Sequence, residues 1–133
     1  MLNQLQLDNI DKVIVGNLIH AGIDHVIFMD MAGNTIAKHD NGSTQLDATA
    51  FAALAAGNFA AVDAMARLVG ESEFSLLFHK GEESSIHFSK VTEDTLLIAM
   101  FNKTTSLGLV RLKVAQTIEQ IHQILADDTT AIG

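Results

Sequence analysis

ATAFAALAAGNFAAV, residues 48–62, runs fifteen positions without a charge. Alanine is the strongest helix former, so the stretch reads as a helix that continues through Met65 and Leu68 to Gly70, with Asp47 or Thr44 as its N-cap. A chain of 133 residues offers one core, and one core covers one stripe of a helix. A helix apolar all round therefore implies two burial surfaces, the second supplied by another chain.

Placed at about 100° per residue, Phe51, Leu54, Ala55, Val62, Met65 and Val69 form a stripe expected to face a sheet, with Asn58 inside it. The opposite side holds Ala52, Ala53, Ala56, Gly57, Ala60 and Ala64, with charge only at Asp63 and Arg67. High helix propensity alone accounts for an exposed alanine face. A solvated face normally carries Lys and Glu, however, and small residues let a second backbone come close, so partner packing is the stronger reading.

Upstream of this helix, Leu7, Ile10, Ile14 and Leu18 recur at helical spacing and Gly22 marks a stop. HVIFMDM, residues 25–31, is apolar on both strand faces and belongs inside a sheet covered on both sides. The turn at Ala32, Gly33 and Asn34 leads to a shorter, more polar strand over residues 35–38, read as an edge.

Downstream, strands are expected over 74–79, 85–89 and 95–101, the last apolar on both faces. Phe74, Leu76 and Phe78 alternate with Ser75, Leu77 and His79 with little protective charge, so as an edge this strand invites pairing with another chain. Thr104 or Thr105 is expected to cap a last helix whose stripe runs Leu107, Val110, Val114, Ile118, Ile121 and Leu125. The order αββαβββα makes this an α+β fold, a five-stranded antiparallel sheet with one helix on one face and two on the other. Residues 1–126 form one domain, and 127–133 are expected to fray. The alanine face and the strand at 74–78 together predict a two-fold dimer through Ala53, Ala56, Gly57, Ala60, Ala64, Phe74, Leu76 and Phe78.

Eight basic against sixteen acidic residues give a net charge of −8, which argues against nucleic acid and anionic membrane surfaces. Cysteine is absent, removing disulfides, thiol nucleophiles and zinc-thiolate sites. Neither a signal peptide nor a membrane span is expected, which makes the cytoplasm the default location. No GxxxxGK loop, GxGxxG, HExxH or GxSxG occurs, so neither an enzyme nor a cofactor is expected. His79 and His87 with Glu83 make an incomplete metal set, better read as polar decoration of a meander. Only Arg67 and Arg111 are available as arginine fingers. Arg67, four residues after Asp63, is expected to form an intrahelical pair, and Arg111 to be solvated or at the sheet rim.

Three segments in this order, GIDHVIFMDMAGNTIA at 22–37, FAALAAGNFAAVDAMARLVGESEF at 51–74 and TLLIAMFNKTTSLGLVRLKV at 95–114, resemble the roadblock family of dynein light chains and bacterial GTPase partners. The resemblance covers nearly the whole chain. It implies the αββαβββα fold, dimerisation through the central helix and third strand, and partnership with a small Ras-like GTPase. Bacterial members stimulate hydrolysis by reshaping the GTPase's own switch loops, without lending a catalytic residue. Carried onto this chain, the GTPase-binding surface would involve Phe59, Asp63, Ala66 and Arg67. The alternative is a structural adaptor of dynein light-chain type. A small-ligand sensor is a third reading, without convergent polar groups in the sequence to support it.

Overall fold

The computed structural model describes residues 2–43, 45–70 and 76–126, with only the backbone described at 76–79. Thr44, Phe74 and the tail 127–133, each given a role above, lie outside the described residues, as do the side chains of Leu76 and Phe78.

The first helix, α1, spans Gln4–Ile14. Asn3 opens it with a capping box: its side chain accepts from the Gln6 amide at 2.8 Å while Gln6 Oε1 accepts from the Asn3 amide at 2.9 Å. The helix continues as a π-helical turn over Val15–Ile19. Ile10, Ile14 and Leu18 are all fully buried. Their four-residue spacing overshoots the 3.6-residue α turn, and the wider π turn absorbs the excess so that Leu18 still faces inward.

The five strands are β1 (His25–Asp30), β2 (Thr35–Asp40), β3 (Leu76–Lys80), β4 (Ser84–Thr92) and β5 (Thr95–Asn102). They form one antiparallel sheet in the order β2-β1-β5-β4-β3. β1 and β5 lie side by side and are buried on both faces, as their unbroken apolar runs require. β2 and β3 are the edges. Between β1 and β2, Asp30 Oδ1 accepts from the amides of Ala32 (3.0 Å) and Asn34 (2.9 Å), and these bonds hold its carboxyl below the usual carboxylate range.

Two helices remain, α2 (Ala48–Leu68) and α3 (Leu107–Ala126). Ile10, Ile14 and Leu18 pack with Val110, Val114 and Ile121 of α3 and with Val26, Phe28, Leu97 and Ala99 on one sheet face. α2 covers the other face, where Ala48, Ala52, Ala55 and Phe59 meet Ile27, Met29, Phe88, Leu96, Ile98 and Met100. Ser106 caps α3 in place of the expected Thr104 or Thr105, its Oγ accepting from the Leu109 amide at 3.2 Å. β4 runs three residues further than the apolar pattern indicated, through a bulge between Lys90 and Thr92 that the alternation does not reveal.

Candidate functional site

Asp47 starts α2 by accepting from the Ala50 amide at 3.1 Å, and Gly70, at φ 88°, lies beyond its C-cap at Val69. Between those ends the helix keeps Ala55 and, half-buried, Phe51 of the expected stripe toward the sheet but turns Leu54, Met65 and Val69 away from it. Ala48, Ala52, Ala55, Phe59 and Ala66 are buried. Leu54 is 75% exposed, Met65 54% and Val69 71%. The register is rotated by roughly 70° from the sequence reading. Its cause is size: alanines let the helix settle close to the sheet, and Phe59, with the half-buried Phe51, fills the space that remains.

This register corrects two assignments. Phe59 and Ala66 are both 0% exposed, so neither is a surface residue for a GTPase to touch. Asp63 is half-buried, and its Oδ1 is enclosed without a hydrogen-bond partner among the described residues, so that oxygen makes no pair with Arg67. Arg67 is exposed. Of the small residues placed at the dimer seam, Ala53, Gly57, Ala60 and Ala64 are exposed, whereas Ala56 is half-buried and packs against the core of its own chain.

Leu68, 87% exposed, joins Leu54 and Met65 on this outward side. Four of the large exposed apolar side chains among the described residues (Leu54, Met65, Leu68 and Val69) therefore belong to one helix and its cap. Exposed apolar side chains gathered on one helix make this side the candidate interaction surface. α2 is also long and apolar enough to cross a membrane, but Ala52, Ala55 and Phe59 dock it on the sheet. Gly57 sits in the middle of the open side, and a Cβ there would meet nothing within 4 Å. The backbone of β3, at the sheet edge, leaves a row of amides and carbonyls for a further strand.

His79, whose side chain lies outside the described residues, and His87 are not directly paired across β3 and β4. The register sets His79 opposite Ile86 and His87 opposite Phe78, one residue out of step, and no group of three potential ligands occurs among the described residues. His87 lies on the sheet face that α3 covers, where burial and then the nearby Arg111 charge push its imidazole down to about 4.

The family model for the Roadblock/LC7 domain matches residues 9–101. Among solved structures, Myxococcus xanthus MglB is 30% identical, with a TM-score of 0.87 over 96% of this chain and 95% of that one. The gliding protein MglB of Thermus thermophilus is 27% identical, with a TM-score of 0.86 over 93% of each chain. A structure described as MglB with a tetrameric arrangement is 26% identical at the same coverage, with a TM-score of 0.86. Comparison with curated proteins finds no match. With most of its length matched by one family model and its fold shared with MglB, the chain belongs to the Roadblock/LC7 family.

Proposed function

We propose that the chain is a non-catalytic, homodimeric regulator of a small Ras-like GTPase in the cytoplasm. The observation that carries this reading is the outward face of α2, where Leu54, Met65 and Leu68 flank a floor of Ala53, Gly57, Ala60 and Ala64. In the proposed dimer the two helices meet over Gly57 and Ala60, and the edge strands β3 extend the sheet from one protomer into the other. Small residues at the centre suit close approach of two helices, and the large side chains around them supply the buried area.

The GTPase docks beside the seam, over the C-terminal part of α2, where Arg67 is exposed and Asp63 half-buried. Likeness to MglB supports this partner through what the family resemblance implies. Stimulation of hydrolysis works by reshaping the GTPase, since the outward helix face supplies leverage on a partner but no built catalytic group.

The test is a pull-down with a small Ras-like GTPase of the same organism, loaded with a non-hydrolysable GTP analogue or with GDP. Retention of the GTP-analogue form supports the proposal, and retention of neither removes it. A hydrolysis assay on the retained complex separates a regulator, which raises the rate, from an adaptor, which leaves it unchanged.

A further inference from the structure

On the side of the sheet away from α2, a cleft of about 350 Å³ opens between β4 and α3. That volume lies within the range of small-molecule sites. Val114, Ala115 and Ile118 of α3 line it with aliphatic surface, while His87, Ser89 and Arg111 add polar groups. His87 is 1% exposed, with Nδ1 3.3 Å from Ser89 Oγ. Its other ring nitrogen, Nε2, is buried with no hydrogen-bond partner among the described residues. A buried polar atom left unmet is uncommon in a folded protein and calls for an explanation. In the tautomer in which the Ser89 hydroxyl donates to Nδ1, Nε2 carries the ring proton and lacks an acceptor.

We propose that this cleft binds a small amphipathic carboxylate, its acidic head held by Arg111 and reaching His87 Nε2 by displacing the side chains that enclose it, its alkyl body lying on Val114, Ala115 and Ile118. Guanidinium and carboxylate match as a charge-assisted pair. Arg111 as the one lining cation turned to the ligand suits a monoanion better than a phosphate, since the other basic group at the cleft, Lys90, faces Glu93 at 3.7 Å. The aliphatic lining excludes a ligand that is polar throughout. The cleft and the α2 face lie on opposite sides of the sheet, so a ligand here leaves the proposed GTPase surface open.

The test is calorimetric titration of the full chain with octanoate, with octanol as the uncharged probe. Arg111 and Ala115 are exposed, so Arg111→Gln and Ala115→Phe leave the core intact. Saturable one-to-one binding of octanoate is expected, weakened about tenfold or more by Arg111→Gln through loss of a charged hydrogen bond. Octanol binding is expected to be unchanged by Arg111→Gln, and Ala115→Phe, which fills the cleft, abolishes binding of both probes. Octanoate also offsets the Arg111 charge beside His87, so the imidazole midpoint followed by NMR rises. Absence of saturable octanoate binding, equal binding by both variants and wild type, or an unmoved His87 midpoint would each overturn the proposal.

Discussion

A Cβ built on Gly33 would stand 3.3 Å from the Cα of Ala53, so the β1–β2 turn bears directly on the backbone of α2. Gly33 is at φ 94°, a region that glycine enters freely and L-residues rarely do. The turn thus fixes where the N-terminal half of α2 lies and, with it, which residues face out. Gly33→Ala meets both the backbone conformation and the contact, and should destabilise the fold by about 1–3 kcal/mol in urea unfolding.

Phe59, turned inward, and Leu68, turned outward, mark the register of α2. Phe59→Ala empties a fully buried site and should cost about 3–5 kcal/mol. Leu68→Ser should change the stability of the dissociated chain by no more than about 0.5 kcal/mol while weakening self-association. Unfolding at low and high protein concentration reads both effects, because dimer formation makes stability concentration-dependent. A large loss from Leu68→Ser at low concentration would contradict the outward placement.

Gly57 offers a test with two signs. Gly57→Ala adds helix propensity worth up to about 1 kcal/mol, and the new methyl meets nothing in the isolated chain. Dilute protein should therefore become more stable. In a seam where backbones touch at Gly57, the same methyl holds the helices apart, so the dimer dissociation constant measured by sedimentation equilibrium should rise.

His87 sets a pH dependence whose direction follows from its surroundings. Its folded-state pKa is pushed from 6.5 to about 4, so between these values the unfolded chain binds the proton that the folded chain excludes. The stabilisation is fully present above about pH 6.5 and is lost as pH falls toward 4, by an amount of up to about 3 kcal/mol. Urea midpoints measured from pH 7.5 to 4 should fall in this window for wild type and fall less for His87→Gln.

Much of the fold is legible in the sequence because most elements have apolar contrast. Ile10 and Ile14 of α1, and Val110, Val114 and Ile121 of α3, stand against charged neighbours, and the burial of each follows its period. In α2 that contrast fails. Alanine scores as apolar on every side, so periodicity points the large residues Leu54, Met65 and Val69 inward and Ala52 outward, the reverse of their burial. The usable signal was Phe59, which shares one side of the helix with Ala52, Ala55 and Ala66 at separations of seven, four and seven residues. Asp63 was read through its local spacing to Arg67, whereas its enclosed oxygen depends on how the whole helix is turned. The cleft at His87 was invisible for a similar reason: it joins β4 to α3, and no local pattern records that meeting.

Co-sedimentation of wild type and Ala60→Glu with a small Ras-like GTPase carrying a non-hydrolysable GTP analogue tests the central claim most directly. Ala60 lies on the exposed side of α2, so its replacement spares the core and places an unpaired charge in the proposed seam. Wild type should sediment as a dimer that carries the GTPase, and Ala60→Glu as a folded monomer that binds it far more weakly. A wild-type chain that is monomeric at all concentrations, or an Ala60→Glu variant that dimerises and binds as wild type does, would contradict the account.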